Sequence, residues 1–112
     1  MPVISGAISV GANARSGNVL AGDVFEFMPR PGLVNFLLTG AVIGLTCDIL
    51  VGGEAEALNA VLPIRAAGAP FPVKPDDSIV IVGALAGQRL FVDIINGTGG
   101  AIIAQFLVEI AT

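Results

Sequence analysis

The end of the chain carries its most restrictive pattern. Ile102, Ala104, Phe106, Val108 and Ile110 alternate with Ile103, Gln105, Leu107 and Glu109. A period of two belongs to a strand with one face on a core, because successive side chains point to opposite faces. The second face is itself half apolar, so it too calls for cover. Leu90, Val92 and Ile94 stand opposite Arg89 and Asp93 in the same way. The linker NGTGG joins the two runs, and Asn96-Gly97 predicts a hairpin between them, since both residues tolerate positive φ. Apolar spacing of three and four, the helix signal, is almost absent from the rest of the chain.

Read by these rules, the chain divides into eight strand-like segments: 3–10, 19–28, 33–39, 42–51, 57–64, 78–82, 89–95 and 101–111. Between them lie GANARSGN, the doubly proline-blocked PRPG, Gly40, a GGE turn and the long loop RAAGAPFPVKPDD. Residues 55–60 (AEALNA) favour helix by composition but are too few to hold one alone. Phe25 and Phe27 fall on one face of the second segment with Val19 and Ala21, and are expected in the core. LTCDIL and LFVDII both set an aspartate before a branched apolar pair, which is shared strand grammar rather than a repeat. Short strands, glycine turns and a proline-rich crossing loop predict an all-β fold, an eight-stranded antiparallel β-sandwich in a single domain over residues 1–112. The jelly roll is the eight-stranded, two-sheet member of that class.

Composition adds a demand for partners. Of 112 residues, 54% are hydrophobic and 12% charged, about half the charged share of an average soluble domain. A domain this small has much surface and few polar side chains to cover it, so part of its exterior is apolar. The cations Arg15, Arg30, Arg65, Lys74 and Arg89 are scattered singly and form no basic footprint, so no direct nucleic-acid contact is expected. The uncharged stretch 31–47 is shorter than the ~20 residues of a membrane helix and is broken by Asn35, Gly40 and Gly44. It reads as two adjacent buried strands. MPVISGAISV lacks the features of a signal peptide.

Chemistry is sparse. The chain has no His, Tyr or Trp, so the commonest general base and metal ligand are missing. Cys47 is the single cysteine, sits in an apolar run and reads as a buried small hydrophobe. Asp76 and Asp77 follow Pro75 as a turn before the next strand rather than as calcium ligands. Glu54 and Glu56, like Asp76 and Asp77, could supply paired carboxyls, but glycoside hydrolysis needs them across a sugar-holding cleft and only six phenylalanines are available to line one. Asn96-Gly97-Thr98 matches the glycosylation acceptor pattern, without a secretion signal beside it. These absences predict a protein that is not an enzyme, with no catalytic residue, cofactor or metal.

Candidate residues therefore concern association. Phe71 lies between Pro70 and Pro72 in the long loop, where fixed φ lowers the entropy lost on docking. It is expected to anchor an intersubunit contact. Leu107 and Ile103, on the second face of the last segment, are expected to join that contact. The order FEFMPRPG, GLTCDILVGG, PFPVKPDD and QRLFVDIINGTGG before a final strand resembles small single jelly-roll virion proteins, over roughly residues 19–111. The resemblance implies a capsid or capsid-decoration subunit, located in the virion, forming homotrimers or homopentamers and touching other virion proteins. Many such subunits carry a basic arm facing the genome. None is present at this N-terminus, which suits a shell lined by an internal lipid membrane or an outer cement role. The alternative is a small oligomeric β-sandwich binding module for carbohydrate or peptide.

Overall fold

A computed structural model describes residues 3–64 and 78–111. Eight strands run in chain order: β1 (Val3–Val10), β2 (Arg15–Asn18), β3 (Gly32–Gly40), β4 (Leu45–Val51), β5 (Glu54–Val61), β6 (Ser78–Ala84), β7 (Leu90–Asn96) and β8 (Ile102–Ala111). They form two four-stranded antiparallel sheets, sheet A ordered β1-β8-β3-β6 and sheet B ordered β2-β7-β4-β5. No helix occurs among the described residues. The all-β, β-sandwich-like expectation is met. Residues 55–60 lie within β5, paired to β4 across an edge, so tertiary pairing overrides their helical preference.

The core is the meeting of two inner faces. From sheet A come Val34, Phe36 and Leu38 with Ile102, Ala104, Phe106, Val108 and Ile110; from sheet B come Leu45, Cys47, Ile49, Val51, Leu90, Val92 and Ile94. These side chains alternate along their strands, as the sequence pattern required. Cys47 is fully buried, and desolvation first, then the neighbouring Asp48 charge, pushes its thiol up to about 12. Gly6 faces Phe106 across the β1–β8 pair, and the ring occupies the place where a side chain would stand.

Two expectations about connections are corrected. Residues 19–28 are not a strand; the strand is β2, inside the stretch read as a turn. Side chains replace much of its ladder to β7. Asn18 Oδ1 accepts from Leu20 N and Val92 N, Asn18 Nδ2 donates to the Leu90 carbonyl, and Ser16 Oγ accepts from Ile94 N. The chain then folds through successive turns, with Ala21 N donating to Asn18 O, Asp23 N to Leu20 O, and Asp23 Oδ1 accepting from Phe25 N. Leu20 is buried and Phe25 packs against the core, whereas Phe27 is half exposed, so the two phenylalanines do not share a core face.

Asn96-Gly97 is not a hairpin turn either. β7 lies in sheet B and β8 in sheet A, so the segment between them crosses from one sheet to the other. Asn96 is buried and organises that crossing. Its Nδ2 donates to the carbonyls of Val10 and Gly100, and its Oδ1 accepts from Thr98 N and Oγ1. An amide so enclosed is no glycosylation acceptor in the folded chain. The GGE turn does close a hairpin: Gly52 and Gly53 hold φ of 60° and 87°, the paired left-handed conformations of a type I′ turn between β4 and β5.

The connections cluster at two ends. At one, Asn13 N donates to Thr98 O, Gly40 N to Pro63 O and Ala41 N to Ile103 O; at the other, Met28 N donates to Gln88 O and Gly52 N to Arg89 O. Gly44 sits at the first end with φ 121°, where an added Cβ would overlap the Thr98 methyl. Gly44→Ala is therefore expected to cost about 2 kcal/mol or more, from strain and overlap together. Gly53→Ala, with φ 87° but open space around it, should cost about 1 kcal/mol. Urea unfolding of the two variants checks the order.

Candidate interaction surface

The expected contact residues divide between described and undescribed regions. Phe71, Pro70 and Pro72 lie outside the described residues. Ile103 and Leu107 stand on the outer face of sheet A, as the alternation required, with Ile103 44% exposed and Leu107 half buried. Leu107 pairs across β3 with Leu37 and across β1 with Ser5. Leu37 is fully buried yet takes no part in the core between the sheets, while its neighbours Phe36 and Leu38 do. The outer face of sheet A is thus buried at Leu37 and Thr39, open at Leu33, and open towards β1, where Ser5, Ala7 and Ser9 are exposed.

Ile103 belongs to a larger apolar rim. The β3–β4 turn projects Val42 and Ile43, the latter 76% exposed, and the same end carries exposed Ile64, bridged to Gly40. A second exposed group, Val24, Phe27 and Leu85, stands at the opposite end. Residues 42–44 were expected to open β4. Instead they form a turn, because Gly40 and Gly44 bracket a segment too short to reach a ladder. That bracketing was the available signal.

The outer face of sheet B carries a polar cluster built on one arginine. Asp48 and Asp93 are direct cross-strand partners on β4 and β7, a destabilising juxtaposition if left alone. Arg15, from edge strand β2, lies between them, with Nη1 2.7 Å from Asp93 Oδ2 and Nη2 3.6 Å from Asp48 Oδ2. Asp93 Oδ1 accepts from Gly17 N, and Asp48 Oδ1 accepts from Asn59 N on β5. Every carboxylate oxygen of the pair is engaged. The cluster is a clamp that ties both edge strands to the sheet centre, and it leaves no oxygen poised for acid–base work. The two similar segments noticed in the sequence are thereby neighbours, though Arg15 gave no local sign of joining them.

A hollow of about 260 Å3 lies nearby, lined by Leu50, Gly53, Arg89 and Phe91. Arg89 sits 5.7 Å above the Phe91 ring, a cation–π distance, and its Nε lies 2.6 Å from Glu26 Oε2. The Gly22 N–H, and then Arg89, hold the Glu26 carboxyl below the usual carboxylate range. Glu54 is exposed and Glu56 half-buried on edge strand β5. Asp76 and Asp77 lie outside the described residues. Among the described residues no group of three or more Cys, Asp or Glu could hold a metal ion, and no helix is long and apolar enough to cross a membrane.

Comparison with protein families, curated proteins and solved structures finds no match for this chain.

The clamp makes a quantitative expectation. Arg15→Met should destabilise the fold by about 1–2 kcal/mol, because it leaves two facing carboxylates, one nearly buried. Combining it with Asp48→Asn should recover part of that loss. A double-mutant cycle by chemical unfolding measures the coupling; strict additivity would show that Arg15 does not act through Asp48.

Proposed function

We propose that this chain is a virion structural subunit of jelly-roll type, a capsid or capsid-decoration protein that assembles with copies of itself. The order of strand pairing carries the proposal. β1 pairs with β8, β2 with β7, β3 with β6 and β4 with β5, and the pairs alternate between the two sheets. An antiparallel ribbon closed at the β4–β5 turn and rolled around a core gives that order, and the jelly roll is such a ribbon. The exposed apolar side chains at the two ends supply what assembly needs, as a monomer rarely shows so many without a partner.

The reading extends to a homotrimer or homopentamer in the virion, in contact with other virion proteins. Arg15 and Arg89 are already engaged by carboxylates, which favours protein or an internal lipid membrane over nucleic acid as the neighbour. No step of the reading requires catalysis or a cofactor. A small binding module for carbohydrate or peptide is the second reading, and it rests on the hollow beside Phe91. That hollow offers a single aromatic surface and an arginine committed to Glu26, so it ranks behind assembly.

Electron microscopy of the purified chain should show closed rings or shells of uniform size. Ile103→Lys places a charge at the exposed rim and should raise the concentration needed for assembly at least tenfold, about 1.4 kcal/mol, with unchanged circular dichroism and melting temperature. Wild-type assembly by the variant would remove Ile103 from the contact; uniform monomers of the unmodified chain would remove the proposal.

A further inference from the structure

One sheet edge differs from the others among the described residues. The outermost strands are β1 and β6 in sheet A, β2 and β5 in sheet B. An open edge offers unpaired N–H and C=O groups to any approaching strand, and proteins blunt it with charge, brevity or bulges. β2 has four residues, includes Arg15 and shifts register against β7. β5 carries Glu54 and Glu56, shifts register twice and holds Asn59 at φ 52°. β6 has no charge, but its register with β3 shifts between Phe36 and Leu37. β1 has no such guard. Its eight residues, VISGAISV, contain no charge or proline and pair with β8 in one unbroken register from Val3–Glu109 to Val10–Ile102. From Val3 to Ser9 the backbone makes no other hydrogen bond among the described residues.

We infer that β1 is a self-pairing edge, and that two copies of this chain join β1 to β1 antiparallel about a two-fold axis, merging their A sheets. The two-fold sets the partial positive N–H groups of each strand against the partial negative carbonyls of the other, with no formal charge to oppose their approach. Facing residues in a sheet share a face, so the registers of greatest overlap centre on Gly6 or Ala7. On the outward side, centring on Gly6 sets Ser5 against Ala7 and Ser9 against the exposed Val3, and centring on Ala7 sets Ser5 against Ser9 and Ala7 against its own copy. On the inward side Ile8, half buried in the single chain, gains cover at the seam. The Phe106 ring lies over Gly6 across the β1–β8 pair, cross-strand packing that pins the register of the strand offered to the partner. Ile103, opposite Ser9 on β8, stands one strand in from the seam, so the rim adjoins this contact, and the pairing stands whether or not the assembly is a virion.

The variant Ser5→Cys/Ala7→Cys sets introduced thiols opposite one another in both registers, at a Cα separation of about 4.5–5.5 Å that a disulfide can span. Cys47 is buried and its thiol is pushed up to about 12, so it adds no background. Mild oxidation of the folded chain at micromolar concentration should yield one covalent product of twice the chain mass and nothing larger. Ile81→Cys on β6 should stay at the single-chain mass. If native mass spectrometry shows association but the double variant forms no covalent dimer, the β1 contact is overturned and self-assembly stands. If neither appears, both fall. Cross-linking of an Ala7→Cys chain to an Ile81→Cys chain would replace the two-fold with head-to-tail pairing and overturn the inference.

Discussion

The fold depends on the dry contact between the inner faces of four central strands, β8 and β3 on one side, β7 and β4 on the other. Branched aliphatic side chains and two phenylalanines fill it, and most are wholly shielded from water. At roughly 25 cal/mol per Å2 of apolar surface removed from water, this is the term able to offset the entropy of ordering the chain. The remaining devices serve that contact. Asn96 satisfies backbone carbonyls where the chain passes between the sheets, and the Arg15 clamp holds the outer strands of sheet B to its centre.

The same apolar richness that fills the core leaves an excess outside it. Ile43, Leu85, Val61 and Val24 are each more than half exposed, and none is needed by the core. In a chain with 12% charged residues there is little polar surface to dilute them. Among the described residues, Arg15, Asp48 and Asp93 neutralise one another on sheet B, and Arg89 pairs with Glu26. Sheet A has uncharged edge strands, and its outer face mixes apolar Ile103 and Leu107 with Ser5, Ser9, Gln105 and Glu109.

Where one face of a strand packs on the core, the sequence was readable. β8 and β7 follow directly from alternation, because burial on one side forces a period of two. The β4–β5 turn was readable for a local reason, two glycines where both residues need positive φ. The failures are non-local. Residues 19–28 alternate like a strand, but Asn18 and Ser16 divert the ladder into side-chain hydrogen bonds, and Gly22-Asp23 turns the chain. Asn96-Gly97 has hairpin chemistry, yet its strands belong to different sheets, and nothing within the segment says so. The Arg15–Asp93 pair joins positions 78 apart, which no local pattern encodes. Of the expected contact residues, Ile103 and Leu107 were placed on the correct face by parity alone, while the exposed rim at Val42 and Ile43 was hidden inside an apolar run.

The central claim is that this chain resolves its surplus of exposed apolar surface by associating with itself. Sedimentation velocity of the unmodified protein over a hundredfold concentration range tests it most directly. The account predicts a discrete oligomer, or a concentration-dependent shift towards one, at micromolar protein. A single monomeric boundary at every concentration would contradict it.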